Sequence, residues 1–175
     1  KEISGADFPI KSARDDADSA EIIIGFHQRT QDVLQKPIPQ PDAADETFTY
    51  QNIGPTLLIW GGSQRGTMYG VFSFLENELG CRWYTPTVSV IPEKQSYKFD
   101  YIYHSETPGI PVRNDFYFEA FESLWAARNK INGAMSYREQ PGGVEGYWAV
   151  HTFYPLMPPE EYFDDHPEYY SLIDG

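Results

Sequence analysis

The segment at residues 57–86 constrains the fold of this chain more than any other part. Its apolar run Leu57–Trp60 is long enough for one buried strand, and two glycines follow directly. Ser63 stands where a helix N-cap accepts a hydrogen bond from an unpaired backbone N–H. The pattern predicts a compact β-α-β unit, with a helix over 64–79 that ends at Gly80 and a short strand after it. The apolar residues at helical spacing are Met68, Val71, Phe72, Leu75 and Leu79.

The composition supports a folded core and disfavours two classes of partner. Of the 175 residues, 41% are hydrophobic and 16% are aromatic, which fits either a large core or an aromatic-lined site for sugar rings. The formal net charge of −13 repels phosphate backbones, so we expect no nucleic-acid partner. No run of about 18 apolar residues occurs, so we expect no membrane span.

The sequence predicts no metal site and no cofactor. Cys81 has apolar and aromatic neighbours, which favours a buried, inert thiol over a nucleophile. Asp164, Asp165 and His166 lie too close together for a pair of ligands on one helix face. A polar helix end before Pro167 explains them more simply.

Strand patterns dominate the chain up to residue 107. A turn at Gly54-Pro55 predicts a hairpin that leads into the strand Leu57–Trp60. The proline-rich residues 36–45 predict a surface loop. Residues 1–10 have the pattern of the end of a secondary-structure element. We therefore expect that residues upstream of Lys1 complete this domain. The further segments of strand composition are residues 21–26, 47–52, 88–91 and 97–103.

A change of pattern at residues 107–111, TPGIP, predicts a domain boundary. Beyond it the alternation of strand and helix predicts parallel βα units. Two such units are too few for an eight-unit barrel, which needs about 250 residues. The predicted elements are a strand at 112–118, a helix at 120–130 ended by Asn132-Gly133, a strand at 147–153 and a helix opening at 159–163.

Three segments of the chain resemble a bacterial family known as domain of unknown function 4838. They are RGTMYGVFSFLENELGCRWYTP at 65–86, RNKING at 128–133 and HTFYPLMPPEEYFDDHPEYYSLIDG at 151–175. The family is common in gut Bacteroidetes, and some relatives are classed in glycoside hydrolase family 163, endo-β-N-acetylglucosaminidases that act on N-glycans. The first part also resembles the α/β domain before the barrel of β-hexosaminidases and α-glucuronidases, whose helix has a spacing similar to that of Gly66, Gly70 and Glu76.

The resemblance implies a fold of the α/β class in two parts. Residues 1–107 would form an accessory α/β domain with a mixed sheet and packed helices, and 108–175 the first βα units of a truncated (β/α)8 barrel. The whole protein would be a glycoside hydrolase-like protein of the periplasm or cell exterior that acts on complex glycans with N-acetylhexosamine. Its catalytic carboxylates are expected beyond residue 175, so this part alone would be inactive. A non-catalytic carbohydrate-binding domain and a structural accessory domain are the alternatives.

Four residues are candidates for sugar contacts. In the hexosaminidase-like families an arginine near the position of Arg113 grips sugar hydroxyls, and its planar fork of donors suits a vicinal diol. A salt bridge is the alternative, and a position early in its strand disfavours an active-site role. Asn114 accompanies it. His151 could bond a hydroxyl or shuttle a proton, or be structural. Trp148 could stack on a pyranose ring or pack in the core.

Overall fold

The computed structural model describes residues 2–12, 15, 20–133, 142 and 151–173. In chain order the elements are β1 (Ile22–Ile24), α1 (Gln28–Leu34), β2 (Phe48–Ile53), β3 (Thr56–Gly61), α2 (Gln64–Asn77), β4 (Arg82–Trp83), β5 (Ser89–Val90), β6 (Tyr103–Glu106), α3 (Ser123–Arg128), α4 (Phe153–Leu156) and α5 (Pro159–Tyr162). Two 3-10 turns lie at Phe118–Phe121 and Pro167–Tyr169.

Within the described residues, the main sheet has four strands in the order β1-β3-β2-β6. β1 runs parallel to β3, whereas β2 is antiparallel to both of its neighbours. The β2–β3 hairpin turns at Gly54, whose φ of 56° is an angle that glycine adopts without steric cost. The sequence-based prediction of an α/β fold with a mixed sheet is therefore confirmed for this part of the chain.

Helix α2 packs closely on the sheet through two glycines one turn apart. Ser63 caps it as predicted, because its Oγ accepts from the Gly66 N–H at 3.0 Å. A Cβ on Gly66 would lie 2.6 Å from the Thr47 carbonyl oxygen, and one on Gly70 would lie 3.0 Å from Ile59 Cγ2. The absence of side chains at these two positions lets the helix backbone approach β2 and β3.

The core lies between α2 and the sheet. Tyr50 is fully buried, its ring meets Phe74 edge-on at 5.6 Å, and its hydroxyl donates to Glu78 Oε1 at 3.1 Å. The predicted apolar stripe of α2 packs beside this core and is only partly buried, since the glycine side faces the strands. The buried core residues are Phe48, Tyr50, Ile59, Tyr69, Phe74 and Ile102.

The strand predicted at 97–103 is wrong in its position. Regular pairing with β2 begins only at Tyr103 and continues to Glu106. The preceding residues serve other contacts: the Ile102 N–H donates to the Asn52 side chain at 2.7 Å, and the Phe99 ring packs on Phe74. At Ile102 a side-chain acceptor thus takes the N–H, while the carbonyl still accepts from the Asn52 N–H at 3.2 Å.

The predicted β-α-β unit is only partly correct. Its strand, turn and helix form as expected, and Gly80 has a φ of 79°. However, β4 pairs with β5 in a separate two-stranded sheet and does not return to the sheet that contains β3. Cys81, just before β4, is a buried thiol, as predicted, and burial raises its pKa.

The strand predicted at 112–118 is wrong. The Asp115 carboxylate accepts a hydrogen bond from the Tyr117 N–H at 2.9 Å, and this local turn leads into the 3-10 turn at Phe118–Phe121. Helix α3 is also shorter than predicted, because the Glu122 side chain caps its start. It ends where Lys130 adopts a φ of 59°, before Asn132-Gly133.

The barrel units remain a prediction, and so does the domain boundary near residue 107. Most of the strand predicted at 147–153 lies outside the described residues, whereas Phe153 already begins α4. The helix predicted to open at 159–163 is present as α5, with Glu160 and Glu161 in its first turn. No helix within the described ranges is long and apolar enough to cross a lipid bilayer.

Replacing Gly66 with alanine is expected to destabilise the fold although alanine favours helices by about 0.8–1 kcal/mol. The new Cβ would lie 2.6 Å from a backbone oxygen, that of Thr47. We expect a net loss of about 1–3 kcal/mol in the free energy of unfolding, measured by urea denaturation. Gly109→Ala is the control, since a Cβ there meets no atom within 4 Å. Equal stability of the two variants would contradict this packing.

Tyr50 is expected to make stability depend on alkaline pH. Burial, with a smaller contribution from Glu78, raises the pKa of Tyr50 to about 12 from 10.0. The unfolded chain therefore releases this proton first, so the stabilisation present below pH ~10 is lost as the pH rises towards 12. The Tyr50→Phe variant should lose stability less steeply over this range in denaturation measurements. Tyr101→Phe, at an exposed tyrosine, should keep the wild-type slope.

Candidate functional site

A buried carboxylate joins four separate parts of the chain. Glu46, in the loop before β2, exposes 6% of its surface. Its Oε1 lies 2.7 Å from Arg65 Nε and accepts a hydrogen bond from Asn132 Nδ2 at 2.6 Å. Its Oε2 accepts a hydrogen bond from Arg113 Nη2 at 2.5 Å. We call these four residues the Glu46 cluster. It ties the first turn of α2 and the residues on both sides of α3 to the end of the main sheet at which β2 begins.

The Arg113 guanidinium is fully engaged by the protein. Arginine carries five N–H donors in a fixed fork. Besides Glu46, Nη2 faces the Tyr69 hydroxyl at 3.5 Å. The salt bridge that the sequence analysis gave as the alternative role of Arg113 is therefore present. A sugar contact by this residue stays a prediction. The other donors bond to main-chain carbonyls, those of Lys130 at 2.6 Å, Ile110 at 2.6 Å and Pro111 at 3.4 Å.

Asn132 closes the segment that contains α3. Its Oδ1 accepts from the Arg113 N–H at 2.7 Å, and its own N–H and that of Gly133 both donate to the Arg113 carbonyl. A Cβ on Gly133 would collide with the side chain of Asn114, so only glycine fits there. The pair that the sequence suggested as a helix stop therefore fastens the two ends of residues 113–132 to each other.

The cluster carries two positive charges and one negative charge. Tyr69 lies beside it, with its ring 5.6 Å from the Arg113 guanidinium carbon. Burial raises the pKa of the Tyr69 phenol, and the Glu46 carboxylate adds to this effect. Two hydrogen-bond donors and the Arg65 guanidinium surround a carboxylate that is almost completely buried, so an external molecule has little access to it. The arrangement is suited to holding segments together and not to acid–base chemistry.

Neither Asn114 nor His151 belongs to this cluster. Asn114 is exposed beside Arg113, and His151 is exposed with a left-handed φ of 55°. Trp148 lies outside the described residues. Sequence reasoning missed Glu46, because one acid among 26 acidic residues gives no signal until its partners are known.

Three consecutive aromatic side chains project from the surface after Asn114. Phe116, Tyr117 and Phe118 expose 72%, 76% and 85% of their surface, and we call them the aromatic surface. Phe121 supports it edge-on, 5.6 Å from the Phe116 ring. In the strand predicted here, alternate rings would point to opposite faces, whereas the observed turn leaves all three exposed. Aromatic rings of this kind can stack on the apolar faces of sugars.

A cavity of about 480 Å³ lies elsewhere, between residues 8–12 and β1. Its lining is mainly apolar, and two of its charged side chains, Arg29 and Glu21, pair with each other at 2.6 Å. None of the residues of the Glu46 cluster or of the aromatic surface lines it. Among the described residues, no group of three or more His, Cys, Asp or Glu side chains is placed to hold a metal ion.

Removing the Glu46 carboxylate is expected to cost about 3–5 kcal/mol of unfolding free energy, because the buried Arg65 guanidinium and the partly buried Arg113 guanidinium would both lose their counter-charge. The measurement is urea denaturation of Glu46→Ala. Glu21→Ala serves as the control, since the Glu21–Arg29 pair is more exposed, at 19% and 17%, and should cost about 1 kcal/mol or less. If both variants lost the same small amount of unfolding free energy, Glu46 would not stabilise the fold more than an ordinary surface ion pair does.

The comparison with known families gives a match over residues 83–175, more than half of the chain, to a domain of unknown function, DUF4838. Neither the comparison with curated proteins nor that with solved structures finds a match. The matched residues contain the aromatic surface, Arg113 and Asn132, whereas Glu46 and Arg65 precede them. On this evidence the chain belongs to the DUF4838 family.

Proposed function

We propose that this chain is part of a glycoside hydrolase-like protein that acts on complex glycans containing N-acetylhexosamine, and that its own role is to bind the glycan. The catalytic carboxylates are proposed to lie beyond residue 175. The resemblance to family 163 glycoside hydrolases and to hexosaminidase accessory domains supports this proposal, together with a location in the periplasm or outside the cell.

The aromatic surface is the observation that carries the proposal. Exposed large apolar side chains cost solvation free energy unless a partner covers them, and aromatic rings suit the flat faces of pyranoses. Asn114 directly precedes the surface and is exposed, so its amide can donate to and accept from sugar hydroxyls. The net charge of −13 is compatible with a neutral oligosaccharide.

The remaining candidate residues take different roles in this proposal. Arg113 acts mainly by holding the segment that bears the aromatic surface, because its five donors already have protein partners. His151 is exposed and available to a hydroxyl group. Trp148 remains a proposed stacking residue on the sequence argument alone.

A structural accessory domain is the second candidate function. The observation that favours it is the Glu46 cluster. In this cluster Arg113, the first candidate for sugar contacts, bonds to protein groups instead. In that case the aromatic surface would be covered by protein and not by a glycan. The two candidates differ in whether the chain binds an oligosaccharide.

The test is a titration of the full chain with N,N′-diacetylchitobiose, in which binding is detected by calorimetry or NMR. Joint replacement of Phe116, Tyr117 and Phe118 by alanine should weaken binding about tenfold or more, a loss of ~1.4 kcal/mol or more. These rings are already exposed, so the variant should retain wild-type stability.

Tyr101→Ala provides the matched control, because Tyr101 is equally exposed, at 75%, in a different segment. It should bind the disaccharide with wild-type affinity. Absence of binding by the wild-type chain, or equal binding by the triple variant and Tyr101→Ala, would refute glycan binding at the aromatic surface.

A further inference from the structure

We propose that Glu46 is a positioning residue, whose carboxylate fixes the segment 113–132 and with it the orientation of the aromatic surface. The glycan-binding consequence of this inference rests on the proposed function, whereas the positioning itself does not. The argument has three steps, which concern the ends of the segment, its middle and the charge of Glu46.

Both ends of the segment meet the same carboxylate. Arg113 at one end donates to Glu46 Oε2, and Asn132 at the other end donates to Glu46 Oε1. The ends also bind each other, since the Asn132 and Gly133 N–H groups donate to the Arg113 carbonyl at 3.1 and 2.9 Å. One buried acid thus closes a loop of about twenty residues against the sheet, which limits the conformational freedom of the loop.

The segment has a second, independent anchor in α3, which follows the aromatic surface in the chain. Trp125 in α3 donates from Nε1 to the Trp83 carbonyl at 3.0 Å, and the Arg128 guanidinium lies 5.6 Å from the Trp83 ring centre. The aromatic surface lies in the chain between this anchor and Arg113. Loss of Glu46 would therefore release both ends of the segment from this carboxylate while α3 stays docked.

The charge of Glu46 is required as well as its shape. Glutamine has the same size but replaces one oxygen by an NH₂ donor. At the Oε1 position that donor would face Arg65 and Asn132, and at the Oε2 position it would face Arg113. Either rotamer sets a donor against a donor, so Glu46→Gln tests the interaction with little change in volume.

The experiment compares hydrogen–deuterium exchange in the full wild-type chain and in Glu46→Gln. We expect the backbone amides of Arg113, Asn132 and Gly133 to exchange at least tenfold faster in the variant, while the amides of the β2–β3 ladder keep their protection. Glu21→Gln, which weakens the pair with Arg29 beside the edge strand β1, should leave all of these rates unchanged.

Binding of N,N′-diacetylchitobiose supplies the second readout, and Glu46→Gln should weaken it about fivefold or more while the chain remains folded by circular dichroism. A purely structural role would instead accelerate exchange across the ladder as well. Unchanged rates at the three amides, ladder-wide acceleration, or wild-type affinity in Glu46→Gln would each overturn the inference.

Two further results separate this inference from the proposed function. If the wild-type chain does not bind the disaccharide, glycan binding fails, but the exchange rates still decide whether Glu46 positions the segment. If Glu46→Gln does not fold, Asn132→Ala replaces it, because this change removes the donor to Glu46 Oε1 and keeps both guanidinium contacts. It also removes the acceptor of the Arg113 N–H, so the Gly133 amide is the readout in that variant. Selective acceleration at Gly133 supports the inference, and a wild-type rate there overturns it.

Discussion

The structure of the described chain depends on one buried carboxylate. Glu46 contacts Arg65 in α2, Arg113 after the main sheet and Asn132 after α3, so removing it would disconnect segments far apart in sequence. Buried ion pairs add little net stability over well-packed apolar groups, but breaking one of them is costly. The Glu46 cluster is therefore better understood as a device that selects one arrangement of these segments than as a source of stability.

Close packing of α2 makes this arrangement possible. Gly66 and Gly70 bring the helix backbone against β2 and β3, and Arg65, next to Gly66, consequently reaches the buried Glu46. Tyr69, on the same side of the helix, provides the ring beside which the Arg113 guanidinium lies. The two glycines thus have a physical role, because they bring α2 to the position from which it connects the sheet to the segment bearing the aromatic surface.

Local signals predicted the fold well where one residue type decides the conformation. Ser63 caps α2, Gly54 turns the hairpin and Gly80 takes the left-handed conformation, each for a reason contained in its own backbone or side chain. Prediction failed at 112–118, where the sequence pattern predicts a strand. There the Asp115 side chain forms a turn, and among the described residues no neighbouring strand pairs with this segment.

The sequence by itself determined the α/β class, the β2–β3 hairpin, the capped helix α2 and the membership of the DUF4838 family, because these follow from local propensity and from similarity along the chain. Only the tertiary structure decided that Arg113 and Asn132 share the carboxylate of Glu46, which lies 67 and 86 residues earlier. Contacts between residues so distant along the chain depend on how the helix and sheet pack. A periodic pattern records which side of an element is apolar, but it does not record which charged residues meet.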